Sequence, residues 1–204
     1  MNPKSLLLLL LLVLTISASM SADTFSYSAT GAEAVSSTFT AAKTGAITAY
    51  FFNSNAGYTS LIGVSINGAS VGTWGLNNHT STLAQSLVFG NVNAGDTIEF
   101  NLFVTDTNAT WSSNVSRNAD HFNHVYATSF TGDGGIPAGT FVGFEDLFGG
   151  GDRDYNDIEF VFTNTASAPV QAAPAAPAVP EPASLSLLGL GLMALPVWRK
   201  KRDR

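Results

Sequence analysis

The amino-acid sequence predicts an all-β protein, an antiparallel β-sandwich with a jelly-roll-like order of strands. Apolar and polar residues alternate with a period of two over short segments, and turn-forming residues separate these segments about every ten residues. Away from the two ends of the chain, no window shows the sustained 3.6-residue period of a helix. Because 45% of the 204 residues are hydrophobic and only 12% are charged, the chain can build one domain with a real core.

Eight segments are predicted as strands. In chain order they are residues 46–52, 61–66, 69–74, 85–89, 96–104, 122–130, 140–146 and 157–162. In 96–104, for example, apolar residues occupy every second position, which is typical of a strand with one buried face. Asn67 and Gly68 stand between two such segments, and both residue types accept the positive φ angles of a two-residue turn. We therefore expect a β-hairpin there.

The central part of the chain is strongly acidic. Residues 23–165 hold thirteen acidic side chains against three basic ones, at Lys43, Arg117 and Arg153. Such a surface repels nucleic acid and anionic lipid and attracts cations, so we expect no nucleic-acid partner. The chain contains no cysteine, which excludes disulfide bonds, thiolate zinc sites and cysteine nucleophiles.

The first residues have the pattern of a secretory signal peptide. A positive charge at Lys4 precedes the apolar run 6–16, and small residues follow. This order of charged, apolar and small-residue regions is typical of an exported precursor, and the apolar run is too short to span a bilayer comfortably. We expect residues 1–22 to be the signal peptide.

The last residues combine a spacer, an apolar run and a basic cluster. Residues 166–179 are rich in alanine and proline, a composition that favours an extended, semi-rigid linker. The apolar run 183–198 and the basic residues after it predict a transmembrane anchor helix whose basic end stays on the cytoplasmic side. The predicted organisation is therefore a signal peptide, a β domain over 23–165, a linker and an anchor.

The order of this final segment, 180–204, resembles the PEP-CTERM sorting signal of Gram-negative bacteria that make exopolysaccharide. The resemblance is carried by Pro180, Glu181, Pro182, Arg199, Lys200, Lys201 and Arg202. It implies recognition by an exosortase, attachment to the membrane before processing, and delivery to the cell surface or the extracellular matrix. It indicates where the protein goes and not what it does there.

The segment 141–162 is dense in acidic side chains. Between positions 145 and 159 it holds six carboxylates and one side-chain amide, with Arg153 as the single positive charge. Like charges at this density repel one another unless a cation neutralises them. Ca²⁺ accepts six to eight oxygen ligands in flexible loop geometry, and we predict it as the cofactor. The expected ligands are Asp152, Asp154, Asn156, Asp157, Glu145 and Asp146.

The spacing of these residues supports an ion site. Asp152, Asp154 and Asn156 alternate, so their side chains can turn toward one point, as in the first positions of an EF-hand loop. The loop is not an EF-hand, because Asp157 stands where that motif has its glycine and no helices flank it. The glycines at 149–151 supply a tight backbone path. The alternative interpretation is a solvated acidic loop without an ion.

The same segment resembles the DUF4114 domain of bacterial surface and matrix proteins. The matching residues are Phe144, Glu145, Asp146, Asp152, Asp154, Tyr155, Asn156 and Asp157. The upstream residues 120–125 also resemble that family, in which a histidine precedes the strand leading into the motif. The resemblance covers residues 120–164 well and implies calcium-dependent extracellular binding or adhesion more than any chemistry.

An enzymatic function is the less favoured interpretation. Glu145 and Glu159 could act as the carboxylate pair of a glycoside hydrolase, but they lie in an anionic cluster beside the expected metal. The chain contains no serine-hydrolase, zinc-protease or phosphate-loop motif. His121 and His124 would point to opposite faces of a strand, so we do not expect them to share a metal.

Carbohydrate binding is the alternative that we weigh against a purely structural matrix role. Four aromatic residues could stack against sugar rings: Tyr58, Trp74, Trp111 and Tyr126. Aromatic residues of a β-sandwich more often belong to its core. We therefore predict a non-catalytic binding or adhesion module with a calcium-stabilised sandwich. A calcium-dependent protein that binds exopolysaccharide remains open as the second interpretation.

Overall fold

The computed structural model describes residues 25–169. The predicted signal peptide, anchor helix and sorting motif lie outside the described residues. Within them, no helix is both long and apolar enough to cross a membrane. The described part is a sandwich of two antiparallel β-sheets, so the predicted fold class is confirmed.

Between residues 25 and 169, eleven strands form the two sheets. The first sheet consists of β1 (Ser37–Ala41), β3 (Ser60–Ile66), β4 (Ala69–Gly75), β6 (Thr97–Val104), β7 (Ala109–Ser112) and β11 (Thr165–Pro169). The second sheet consists of β2 (Gly45–Asn53), β5 (Ser86–Val92), β8 (Val125–Phe130), β9 (Gly139–Phe144) and β10 (Ile158–Thr163).

The chain passes back and forth between the two sheets. The strand order is β11-β1-β6-β3-β4 in the first sheet, with β7 also paired to β6, and β5-β2-β10-β9-β8 in the second. All eight predicted strands are present. The expected hairpin joins β3 to β4, with φ angles of 50° at Asn67 and 81° at Gly68, as a turn with two positive φ values requires.

Three strands were not predicted from the sequence pattern. Two of them, β1 and β11, are distant in the chain and pair along their whole length, from Ser37 opposite Pro169 to Ala41 opposite Thr165. β11 therefore occupies the first residues of the segment predicted as linker. The third strand, β7, consists of four residues paired to β6, which is too short for a visible alternation.

The core fills the space between the sheets, and a smaller cluster covers the outer face of the second sheet. Ile158, Phe160 and Phe162 of β10 point into the main core. Val161 of the same strand packs into the outer cluster, against which Phe25 also packs. β10 buries both of its faces, because residues before β1 lie over the second sheet. The described residues contain both sheets and their core, as an independent folding unit requires.

The acidic segment connects β9 to β10, the central strand of this second sheet. β9 ends at Phe144 and β10 begins at Ile158, and these two residues are paired. Residues 145–157 therefore leave and re-enter the sheet at one point. The pairing holds both ends of the loop together, so its acidic side chains are confined to one end of the sandwich.

Candidate metal centre

Unusual backbone conformations shape the acidic loop. The φ angles are 75° at Gly150 and 42° at Gly151, and the non-glycine residues Arg153 and Tyr155 have φ angles of 59° and 56°. Left-handed conformations are unfavourable for residues that carry a side chain, by roughly 1–2 kcal/mol each. They persist only where surrounding contacts hold them, so the rest of the fold must stabilise this loop.

Tyr155 provides one of those contacts. Its side chain is buried, and its hydroxyl donates to the carbonyl oxygen of Asn123 at 2.9 Å while accepting from the Ala34 N–H at 2.8 Å. Burial raises the pKa of Tyr155 to about 12, so the hydroxyl keeps its proton for the first of these bonds. Tyr155 therefore links the acidic loop to the residues just before β8 and to the residues before β1.

Three of the acidic side chains converge on one point. Glu145, Asp152 and Asp154 each offer one carboxylate oxygen, and these oxygens lie within 4.8 Å of one another. Glu145 is 1% exposed, and its Oε1 accepts the Tyr155 N–H at 2.6 Å. Its Oε2 is buried and has no hydrogen-bond partner among the described residues. We refer to these three residues as the acidic triad.

The surroundings of the acidic triad disfavour its negative charges. Burial raises the pKa of Glu145 to about 7, and the charges of Asp152 and Asp154 add to this effect. Burial also raises the pKa of Asp154, and the negative charge of Asp152 raises it further. Among the described residues no basic side chain forms an ion pair with these carboxylates, and Arg153 lies over the Phe122 ring at 5.0 Å. A bound cation would stabilise all three carboxylates at once.

The other three predicted ligands, Asn156, Asp157 and Asp146, do not belong to the acidic triad. Asn156 donates from its side-chain amide to Asp154 and so supports the acidic triad from the side. Asp157 accepts the backbone N–H of Asp146 at 2.8 Å, and Asp146 Oδ2 is buried without a hydrogen-bond partner among the described residues. Burial raises the pKa of both, and the charge of Asp146 raises that of Asp157 further. Asp146 and Asp157 therefore form a second acidic pair beside the triad.

Two family models match parts of the chain. The model of the domain of unknown function DUF4114 matches residues 92–165, from the last residue of β5 to the first residue of β11. The described domain is similar to DUF4114 over these residues, and we refer to it below as the DUF4114 domain. Residues 178–202 match the PEP-CTERM protein-sorting motif, which marks an exported precursor with an anchor. The DUF4114 match reaches further toward the N-terminus than the resemblance over 120–164 and takes in all predicted metal ligands.

Two further comparisons concern whole chains. The Ralstonia solanacearum high-affinity mannose-binding lectin, a solved structure, is 20% identical, with a TM-score of 0.31. The match covers 70% of this chain and 96% of the lectin. No curated protein matches the sequence.

A histidine that sequence reasoning left without a role braces the acidic loop of the DUF4114 domain. His124 is buried and stacks on Trp111 with 4.0 Å between ring centroids. Its Nδ1–H donates to the carbonyl oxygen of Glu145 at 2.9 Å, and its Nε2 lies 2.9 Å from Asp120 Oδ2. His121 is exposed, and both histidines precede β8, so they do not lie on a strand as the sequence predicted. The role of His124 depends on contacts across the sheet that no local pattern reveals.

Asp120 completes this brace from the other side. Its Oδ2 accepts the Gly149 N–H at 2.7 Å and its Oδ1 accepts the Phe122 N–H at 3.0 Å. Burial by itself would raise the pKa of Asp120, but these hydrogen bonds and the one to His124 outweigh it and lower the pKa. The DUF4114 loop is therefore tied at its tip as well as at its ends.

Most of the aromatic residues predicted to stack against sugar rings are buried or partly buried. Trp111 is 4% exposed, and its Nε1–H donates to the Asp146 carbonyl oxygen at 2.8 Å. It cannot present a stacking surface because it belongs to the core beneath the acidic loop. Tyr58 and Tyr126 are partly buried against the two hydrophobic clusters. Trp74 alone among the four is 38% exposed, on β4 of the first sheet.

We expect the metal-free DUF4114 domain to gain stability on acidification. The folded-state pKa values of Glu145 and Glu159, both about 7, lie above the usual value of 4.5. The folded state therefore holds these protons more tightly, and the free energy of unfolding falls as the pH rises from about 4.5 to about 7. Thermal melts in chelator across this range measure the effect. Saturating Ca²⁺ should flatten it, and a melting temperature that rises with pH in chelator would contradict it.

Proposed function

We propose that this protein is exported to the cell surface or the extracellular matrix, where its calcium-stabilised DUF4114 domain acts as a non-catalytic binding or adhesion module. The sorting motif at residues 178–202 supports the export route, with an exosortase as the processing partner. Exopolysaccharide is the partner that this destination favours. In this proposal the domain binds the partner, and the sorting signal directs the protein to the cell surface or the matrix.

The calcium site rests on one observation, the buried Oε2 of Glu145. This oxygen lacks a hydrogen-bond partner in the described part of the chain, and leaving a buried carboxylate oxygen unsatisfied is energetically unfavourable. Oxygens of Asp152 and Asp154 lie within 4.8 Å of a Glu145 oxygen. A Cβ atom at Gly151 would approach Oε2 to 2.9 Å, so glycine keeps this side of the carboxylate open. The residues present therefore fit a cation.

Calcium fits this donor set better than other common metals. All three donors are carboxylates, and the loop carries no cysteine or histidine ligand, which argues against zinc and copper. Mg²⁺ needs near-ideal octahedral geometry, whereas Ca²⁺ accepts variable geometry and additional water ligands. Glu145, Asp152 and Asp154 would hold the ion. It would neutralise their repulsion and fix the loop between β9 and β10.

The acidic side chains serve better as ligands and supports than as catalysts. Glu145 accepts a backbone N–H with Oε1 and belongs to the acidic triad, and the Asp157 carboxylate accepts the Asp146 N–H. Groups committed to holding a loop are poorly suited to donate and accept substrate protons. We propose that the module acts without catalysis. Release of reducing ends from exopolysaccharide by the purified domain would overturn this.

The test is a thermal melt of the fragment 23–169 in Ca²⁺, in Mg²⁺ and in chelator. At a Ca²⁺ concentration about a hundred times the dissociation constant, linkage predicts about 2.7 kcal/mol of stabilisation. For a domain of this size, that corresponds to a rise of roughly 5–10 °C in melting temperature. Mg²⁺ should produce a much smaller shift. Identical melting curves in Ca²⁺ and in chelator would refute the calcium site.

A further inference from the structure

A cavity adjoins the acidic triad on the outer face of the second sheet. Its volume is about 720 Å³, within the range of sites that bind small molecules. The residues before β1 form one wall, the end of β2 and the residues after it form another, and the acidic loop forms a third. Its lining includes Phe25, Ser26, Phe52, Asn55, Asp154 and Glu159. We call this cavity the outer pocket.

The lining of the outer pocket combines apolar surface with neutral hydrogen-bonding groups. Phe25, Phe52 and Leu83 supply the apolar part, while three hydroxyl and three amide side chains supply donors and acceptors. None of the described residues that line it is basic, so an anionic ligand would meet no opposite charge. This composition suits a ligand with apolar C–H faces and many hydroxyl groups.

Glu159 adds a buried acceptor to this lining. It is 5% exposed on β10, where it is paired with Asn53 of β2. Two carboxylate oxygens can accept hydrogen bonds from two neighbouring hydroxyl groups. Vicinal hydroxyls are the repeating feature of sugars.

The outer pocket and the acidic triad share a residue. Asp154 lines the pocket and belongs to the triad, and Asn156, which also lines the pocket, donates to Asp154. A cation on the triad would therefore fix one wall of the pocket and neutralise the Asp154 carboxylate that lines it. Coupling of this kind is reciprocal, so a ligand in the pocket would also tighten binding of the cation.

We propose that the outer pocket binds a neutral glycan of a few sugar units and that the cation on the acidic triad is required for full affinity. Apolar sugar faces pack against Phe25 and Phe52, and sugar hydroxyls bond to the amides and to Glu159. This inference rests on the proposed calcium site and deepens it, because it names the ligand class and the surface that binds it.

The experiment is calorimetric titration of the fragment 23–169 with neutral fragments of dextran, mannan and galactan, with a uronate oligomer and with spermidine. We expect at least one neutral oligosaccharide to bind in Ca²⁺, and its affinity to fall about tenfold or more in chelator. The uronate oligomer should bind more weakly, because the pocket is acidic. The same samples are melted in Ca²⁺ and in chelator, which tests the calcium site separately.

Matched variants locate the binding surface. Ser26→Trp fills the pocket and should abolish binding, whereas Ser28→Trp places the same side chain in the same segment at an exposed position that does not line it. Asn55→Ala should weaken binding about threefold to tenfold through loss of hydrogen bonds. Asn91→Ala removes an exposed amide of β5 outside the pocket and should leave affinity unchanged.

The outcomes separate the two proposals. A calcium-dependent melt without binding of any neutral oligosaccharide overturns the glycan inference and leaves the calcium site intact. Glycan binding that is equal in Ca²⁺ and in chelator overturns the coupling. Binding lost equally in Ser26→Trp and Ser28→Trp, or spermidine binding in place of glycan binding, overturns the outer pocket as a glycan site. A melt that does not respond to Ca²⁺ refutes the proposed function itself.

Discussion

The double variant Asp152→Asn, Asp154→Asn is expected to lose the calcium-induced rise in melting temperature, about 2.7 kcal/mol at a hundredfold excess over the dissociation constant. Both substitutions preserve the shape of the side chain and remove a charged oxygen ligand from the acidic triad. In chelator the variant should melt at or slightly above the wild-type temperature. The reason is that the two removed charges help to raise the pKa of Glu145, so their loss relieves repulsion.

The double variant should melt below the wild type in Ca²⁺ but at or above it in chelator, and this difference makes the prediction specific. A substitution that merely damaged the loop would lower the melting temperature in Ca²⁺ and in chelator alike. Asp133→Asn is the matched control, because Asp133 lies in the connection between β8 and β9 and outside the acidic triad. It should retain the full response to Ca²⁺. A double variant that still responds fully would show that the ion binds elsewhere.

Gly150→Ala is expected to destabilise the domain far more than Gly149→Ala. Both glycines have a φ of 75°, so both alanines meet the same backbone penalty of roughly 1–2 kcal/mol. A Cβ atom at Gly150 would overlap the Phe122 ring, at 1.9 Å from its nearest carbon, whereas nothing lies within 4 Å of a Cβ at Gly149. Such overpacking adds about 1–3 kcal/mol. Thermal melts in chelator measure the difference without a contribution from the ion.

The position of Phe122 makes this overlap difficult to relieve. Its ring packs edge to face on His124 at 5.4 Å and carries the Arg153 guanidinium at 5.0 Å on its face. A shift of the ring would disturb both contacts, and His124 is bonded to the Glu145 carbonyl oxygen. We therefore also expect weaker calcium binding in Gly150→Ala. Equal melting temperatures for the two glycine variants would contradict this account.

Local patterns were sufficient for most of the sandwich. Alternating residues and the Asn67-Gly68 turn predicted the strands and the hairpin of the first sheet, because each side chain's burial follows from its position on a two-residue period. β1 and β11 were missed, since each is stabilised mainly by a partner more than a hundred residues away. The alanine-rich residues of β11 have little strand preference of their own.

The candidate site, like the fold, could be predicted only in part. The density of acids between Glu145 and Glu159 predicted an ion-binding loop, because like charges at this spacing need a counter-charge. Which acids converge could not be predicted, since the side-chain directions depend on left-handed residues such as Arg153 and Tyr155. Spacing therefore suggested six ligands, while the folded loop brings three of them to one point.

Local patterns of residues were enough to predict the fold class, the acidic character of the loop and the sorting signal, because each depends on near neighbours in the chain. The core position of Trp111, the contact of His124 with the loop and the place of Glu159 in a pocket beside Asp154 became evident only in the folded domain. These roles arise where distant segments meet. Burial and contact there are properties of the packed sheets and not of any single stretch of sequence.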